Sequence, residues 1–379
     1  MRFLDHLQAL DFVRSREPSA LAERAKRIRQ DRFGRVVTYA KNITLDLSHA
    51  CRNACAYCCF RLREEPSGRE APPPEAVLLP DGIINDRIAR AAATGCTEVL
   101  ITSGEQPDGH PLVRRELGRR GFDSYAGFVA DVCRRCLDAG VLPHTNIGIV
   151  SAEDFELIRP LNASMGLMLE TTRQDLCAGE GPHLNSPGKI PAERLGFLEL
   201  AGRRHVPFTT GILVGIGESI EDRVESFVAI NRLQDAYGHI QEVIIQNFVP
   251  KPDTRFAAAA PTTMQELLDT VIIGRNLLSP EISVQVPPNL IAGAEAEFLH
   301  AGVNDFGGIS SLMGDVINPF QPWPDVVRFA ALCEAEGYRL QERLPIYEGY
   351  FDHEQFVPPR IREVSRALLP GQSLREVTR

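Results

Sequence analysis

The chain is 379 residues long, enough for one large domain or two ordinary ones, with a core that needs no disulfide or structural metal. Its 44% hydrophobic and 24% charged residues exclude a disordered, collagen-like or simple coiled-coil protein. The balance of 41 basic against 50 acidic residues gives −9, which speaks against a nucleic-acid partner held by bulk charge.

No window approaches the roughly 18 uninterrupted apolar residues of a membrane span, so no membrane partner is expected. Asp5 and Asp11 interrupt any apolar signal-peptide core near the start, and a cytoplasmic location is expected. Residues 3–30 form a charged amphipathic stretch that reads as a helical extension. From residue 36 short apolar runs alternate with helical segments. Strands are expected at 43–47, 98–102, 142–146, 164–169, 208–214, 242–247 and 283–286, with a weaker one at 302–305. Helices are expected at 81–94, 124–139, 191–203 and 220–237. Residues 64–80, with five prolines, and the Gly/Pro/Asn/Ser-rich 179–189 read as loops. Such alternation predicts an α/β fold, a closed (β/α)8 TIM-like barrel, over an open sheet. The expected domains are an N-terminal helical extension over 1–35, the barrel over 36–357 and a basic C-terminal tail over 358–379. In such a barrel the chemistry sits where the strands end.

Nine cysteines in a chain expected to stay reduced point to ligands, catalysts or core fillers rather than disulfides. Four of them crowd into residues 51–59. Cys51, Cys55 and Cys58 have the spacing Cys-x3-Cys-x2-Cys directly after a predicted strand. Three thiolates on one loop can ligate three irons of a 4Fe–4S cubane, and the fourth iron is left open for chemistry. Cys59 is expected to project to the opposite side from Cys58. A structural zinc site is the alternative, with His49 or Cys59 as fourth ligand, although zinc sites usually join two distant Cys-x-x-Cys units. Cys133 and Cys136 lie in a helical pattern and read as core, and Arg114–Arg120 reads as a solvated basic run. Gly215-Ile-Gly217 lacks the third glycine of a dinucleotide fingerprint, and Gly188-Lys189 lacks the rest of a P-loop.

The cysteine loop, with Tyr57 before its third cysteine, resembles that of the radical S-adenosylmethionine enzymes. The resemblance implies a 4Fe–4S cluster, S-adenosylmethionine as cosubstrate and a low-potential electron donor. It also implies contacts to the cosubstrate. Thr102-Ser103-Gly104-Glu105 stands where the family has a Gly-Gly-Glu-like motif, so Gly104 and Glu105 would hold the methionine ammonium. Serine replaces that motif's first glycine. Glu170, after the fourth strand, would lie near the ribose. Arg194 matches a carboxylate in geometry and would pair with that of methionine, the alternative being an exposed helix arginine. Gly211 and Gly215 fall in a phrase like the family's fifth-strand motif, which packs near adenine.

Longer phrases narrow the likeness: His144-Thr-Asn146, the run from Asn162 to Glu170, the run from Gly238 to Phe248, Gln285-Val-Pro-Pro-Asn289-Leu290 and the run from Asn304 to Ser310. Together, over residues 36–347, they resemble the 7,8-didemethyl-8-hydroxy-5-deazariboflavin synthases, in particular the small ring-closing subunit. This resemblance implies a radical lyase. A 5′-deoxyadenosyl radical would take a hydrogen from 5-amino-5-(4-hydroxybenzyl)-6-(D-ribitylimino)-5,6-dihydrouracil, the ring would close, and ammonia would leave. A sister subunit would make that substrate from tyrosine and 5-amino-6-ribitylaminouracil. A fused synthase would be about twice this length, so only the second half-reaction is expected here. Such a polyol substrate suits the neutral groups at the strand ends: His144, Asn146, Gln246, Asn247, Gln285, Asn289, Asn304 and Asp305. Each could equally be a loop residue bonded to its own backbone. Tyr125, Tyr347 and Tyr350 are possible aromatic or proton partners. The rival readings are the sister subunit, another barrel radical enzyme, or an electron-transfer protein that merely carries a cluster.

Overall fold

Parallel strands separated by helices need both faces of the sheet covered, and the apolar runs here meet that need by closing on themselves. The computed structural model describes residues 3–62 and 73–368. Most of the 64–80 loop expected from the sequence, and the end of the basic tail, lie outside the described residues. The strands are β1 (Val36–Asp46), β2 (Glu98–Thr102), β3 (Leu142–Asn146), β4 (Ser164–Gly166), β5 (Phe208–Val214), β6 (Ile240–Asn247), β7 (Ser283–Gln285), β8 (Asp305–Ile309) and β9 (Arg339–Arg343). Strands β1 to β8 pair in order, and β1 meets both β2 and β8, which closes an eight-stranded parallel barrel.

Three strands depart from the sequence reading by three residues or more. β1 begins seven residues before the expected 43, because Val36–Ala40 pairs with β9, a strand the sequence did not suggest. β4 ends three residues early, since Leu169 bonds to the Thr210 hydroxyl and Glu170 turns left-handed at φ 68°. β8 runs later than 302–305, after Gly302 turns the chain at φ 110°. Its Asp-Phe-Gly-Gly-Ile sequence carries little of the branched character by which a strand is read.

The single amphipathic extension is two helices, His6–Arg14 and Pro18–Phe33, broken where Pro18 starts the second. Arg29 of the second is fully buried and donates to the carbonyls of Val303 (3.3 Å) and Val36 (2.7 Å) while lying over the Tyr338 ring. Arg275 does the same for the carbonyls of Gly302 (2.9 Å) and Ile282 (3.0 Å). Each guanidinium is thus buried with donors on backbone oxygens, joined for Arg275 by the Asn304 side-chain oxygen, and burial of a charge is tolerated when it is so bonded. Leu344, Ile346, Phe351, Phe356 and Ile361 form a second apolar cluster with Leu142 and Ala163 of the barrel. Because β9 pairs with the first half of β1 and β2 with the second, β9 underlies the N-terminal end of the barrel. Among the described residues, no helix is long and apolar enough to cross a membrane.

Candidate active site

At the opposite end of the barrel, the loops after β1, β2, β3, β4 and β6 surround a cavity of about 400 Å³. Cys51, Cys55 and Cys58 lie on its wall, and the loop carrying them is held from two sides. From β2, the Glu105 carbonyl accepts from Arg52 N (3.0 Å), and the Glu105 carboxylate accepts from Arg52 Nε (2.6 Å). From the 179–189 loop, Pro182 accepts from Ala56 N (2.7 Å), Ser186 Oγ from Ala54 N (3.0 Å), and Gly188 N donates to Asn53 Oδ1 (2.9 Å). Tyr57 closes the clamp with its hydroxyl 3.0 Å from His183 Nε2. Burial lowers the His183 pKa to about 3, so its imidazole is neutral.

Gly104 makes the close approach possible. A Cβ at that position would overlap the Ala50 carbonyl and stand 2.7 Å from Cys51 Cβ. The sulfur of Cys51 then accepts from the backbone N–H groups of Glu105 (3.2 Å) and Asn53 (3.4 Å). Burial raises the thiol pKa of both Cys51 and Cys58, and neighbouring Cys55 raises them further. Thiols in that setting need a cation to become thiolates, and N–H donors toward sulfur suit a thiolate bound to metal.

Among the described residues, no three His, Cys, Asp or Glu side chains converge as ligands of one ion would. A cubane asks for something wider, since each thiolate binds its own iron. Cys59 also lines the cavity, with its sulfur 3.7 Å from the Ile317 carbonyl. Cys133 and Cys136 are buried core residues as read.

The other predicted residues divide into two groups. Gly104, Glu105, Glu170 and Arg194 line the cavity. Arg194 is 3% exposed, which discards the reading as a surface helix arginine. It donates through Nη1 to the Met168 carbonyl, while its buried Nε has no partner among the described residues. Glu170 pairs with Lys189, a residue the sequence reading weighed only as a failed P-loop. Burial would raise the Glu170 pKa, but Lys189 and Arg194 outweigh it and hold the carboxyl below its ordinary value. The Glu105 carboxylate is already engaged by Arg52 and by Ile149 N (3.1 Å). Gly211 and Gly215 are not on the cavity wall. A Cβ on the first would overlap the Ile244 carbonyl, and on the second the Thr262 hydroxyl, so packing of β5 accounts for both.

Of the strand-end polar residues, His144, Asn146, Gln246, Asn247 and Gln285 line the cavity. Asn289, Asn304 and Asp305 do not. Asn304 bonds to Arg275 (2.5 Å), and Asp305 to Arg343 (2.6 Å). Among the described residues, four buried polar atoms on the wall lack a partner: Arg194 Nε, Asn247 Oδ1, Asn42 Oδ1 and Trp323 Nε1. Unsatisfied groups are costly when buried, and several around one cavity mark where a polar ligand sits. The sequence reading missed Lys189, Trp323, Glu98 and Glu242. The last two were legible as charged residues opening otherwise apolar strand runs.

Comparison with known proteins accords with this geometry. Residues 45–229 match the model of the radical SAM superfamily. The chain is 41% identical over 334 residues to the 7,8-didemethyl-8-hydroxy-5-deazariboflavin synthase of Methanothermobacter thermautotrophicus, spanning 88% of this chain and 98% of that protein. The chain belongs to this family. It is 44% identical to the synthase of Methanococcoides burtonii, covering 82% of this chain and 89% of that one. It is also 40% identical to the FO synthase of Streptomyces coelicolor, over 92% of this chain but 41% of that longer protein. Among solved structures, the FeFe-hydrogenase maturase HydG from Carboxydothermus hydrogenoformans superposes with a TM-score of 0.68 at 17% identity, covering 99% and 90% of the two chains. Methylornithine synthase (PylB) does so at 0.64 and 19%, covering 89% and 94%. Both likenesses concern the fold. The chain is therefore a radical S-adenosylmethionine enzyme of deazaflavin biosynthesis, with a 4Fe–4S cluster as cofactor and S-adenosylmethionine as cosubstrate. The three thiols on one wall, the N–H donors on Cys51 and the unpartnered wall atoms fit that pair.

Proposed function

We propose that this enzyme is the ring-closing ammonia lyase of deazaflavin formation. In this reading 5-amino-5-(4-hydroxybenzyl)-6-(D-ribitylimino)-5,6-dihydrouracil gives 7,8-didemethyl-8-hydroxy-5-deazariboflavin and ammonia, while S-adenosylmethionine gives methionine and 5′-deoxyadenosine. The observation that carries it is a single cavity running from three cysteines at the loop end of the barrel to neutral amides, an imidazole and two carboxyl groups deeper inside. A charged pocket near the cysteines suits an amino acid's two charged ends, and the neutral donors and acceptors Asn146, Gln246, Asn247 and Gln285 on the same wall suit a polyol and a uracil.

Cys51, Cys55 and Cys58 are the ligands of the cluster in this reading. When bound and reduced, the cluster supplies the electron that splits S-adenosylmethionine into methionine and a 5′-deoxyadenosyl radical. Arg194, through its free Nε, takes the methionine carboxylate. Glu170, held ionised by Lys189, faces the ribose end. Glu105 braces Arg52 and the cysteine loop and, with the Gly104 backbone, borders the methionine ammonium. Gly211 and Gly215 let β5 pack tightly beneath the adenine. A primary alkyl radical is too reactive to choose a hydrogen by bond strength, so position selects it, within about 3–4 Å of the radical carbon. Enclosure by the barrel and its loops keeps water from the radical.

A low-potential donor supplies the electron, and a sister subunit in the cytoplasm supplies the benzylated uracil. The test is anaerobic incubation of the reconstituted, reduced chain with S-adenosylmethionine and the preformed benzylated uracil. Fluorescent deazaflavin, 5′-deoxyadenosine, methionine and ammonia are expected. With tyrosine and 5-amino-6-ribitylaminouracil instead, no deazaflavin is expected until the sister subunit is added. Product without it would overturn the division of labour, and no product from the preformed intermediate would overturn the assignment.

A further inference from the structure

The floor of the cavity holds ionisable groups that neither the cluster nor its cosubstrate needs. Glu242 on β6 is buried and lines the cavity. One carboxylate oxygen, Oε1, accepts from Arg343 Nη2 (2.9 Å) and from the Tyr347 hydroxyl (3.1 Å). The other, Oε2, accepts from the hydroxyl of Thr209, itself on the cavity wall, at 3.0 Å. Arg343 of β9 also grips Asp305 of β8 through Nε (2.6 Å) and Nη2 (2.9 Å). Two carboxyl groups therefore share one guanidinium.

The remaining groups on the floor are His144 of β3, with Nδ1 2.6 Å from Ser164 Oγ, and Glu98 of β2, bonded by Asn42 Nδ2 at 3.1 Å. Burial raises the Glu242 pKa and Asp305 adds to the rise, while Arg343 opposes it. Asp305, gripped by both arms of Arg343 and by Thr38, is held below its ordinary value. Of the pair, Glu242 is the one that keeps a proton, and it is the one that faces the cavity.

We propose that Glu242 is the proton-transfer residue for ammonia loss, with Tyr347 as the positioning residue that fixes its carboxyl. The proposal rests on the ring-closing reading above. An amine on a saturated ring carbon leaves only when its nitrogen is protonated. As the carbon–nitrogen bond breaks, its electron pair goes to nitrogen, which takes the proton of Glu242 and departs as ammonia. The adjacent carbon–hydrogen bond then gives its electrons to the new ring double bond and its proton to the Glu242 carboxylate. No electron is gained or lost, and the carboxyl ends as it began.

The experiment is single turnover of the reduced holoenzyme with S-adenosylmethionine and the preformed benzylated uracil, with 5′-deoxyadenosine, ammonia and deazaflavin all quantified. Glu242→Gln should lower deazaflavin per 5′-deoxyadenosine roughly 100-fold, with an amine-retaining product seen by mass spectrometry. In the wild type this ratio should fall as pH rises and Glu242 loses its proton, whereas in Glu242→Gln it should be flat. Tyr347→Phe removes one hydroxyl and serves if the first variant does not fold; it should lower the ratio several-fold and shift its pH profile. An unchanged ratio in a folded variant overturns the proposal, as does a parallel fall of both products, the result a purely structural role would give. A wild type that consumes S-adenosylmethionine but forms no deazaflavin overturns the underlying reading, and this proposal with it.

Discussion

Cys58 and Cys59 are neighbours in sequence and both touch the cavity, so the cavity wall does not tell them apart. Their surroundings do. The sulfur of Cys59 lies against the Ile317 carbonyl, on the side of the loop that follows β8. Cys51 and Cys58 are half-buried and have Cys55 as a near electrostatic neighbour. Replacing Cys51, Cys55 or Cys58 by Ala should abolish cluster binding, read as loss of iron and of the visible charge-transfer absorption after anaerobic reconstitution. Cys59→Ala should retain about four irons per chain. Cluster loss only on changing Cys59, or stoichiometric zinc in place of iron, would reverse the assignment.

The 179–189 loop acts as one element because it ties the cysteine loop to β4. Asn53, Ala54, Ala56 and Tyr57 bond to it on one side, and Lys189 pairs with Glu170 on the other. Glu170 has a depressed pKa in the folded chain, because Lys189 and Arg194 outweigh its burial. Its contribution to stability is therefore full above the unfolded value near 4.5 and is lost as pH falls through the lower folded value. Lys189→Met removes one of the two cations, so the Glu170 pKa should rise and the acid limb of the melting curve should begin at higher pH. Thermal unfolding of both proteins between pH 3 and pH 7, in buffers of constant ionic strength, measures this. Identical acid limbs would show that the pair does not couple to folding.

At the scale of the molecule, the barrel has two differently built ends. The loop end is open and carries the cysteines. The other is underlain by β9, whose Arg343 crosses to Asp305 and Glu242. Removing a buried cation leaves its partners unpaired, at a cost of about 3–5 kcal/mol. Arg343→Leu should lower urea stability by that order, and raising the pH should deepen the loss as both carboxyl groups ionise. A change below about 1 kcal/mol at neutral pH would mean that water or a shared proton already satisfies the two carboxyl groups.

The alternation of strands and helices, and hence the barrel, is legible along the chain, because parallel strands buried on both faces must be apolar runs between helices. β2 and β5 could be read to the residue, since each is a largely apolar run cut off by a turn, and the bounds of β3 were read correctly despite its polar end His144-Thr145-Asn146. The cysteine spacing was local too, as three ligands on one loop need no distant partner. The rest follows from contacts across the fold. β9 reads as a charged, exposed segment, and only its partner Val36–Ala40 makes it a strand. Arg194 looks like any helix arginine until the helix Pro191–Arg203 turns it inward, and Asn304 and Asp305 look like site residues until Arg275 and Arg343 claim them. Burial, and the choice among possible partners, arises from contacts between residues dozens to hundreds of positions apart, which no local pattern records.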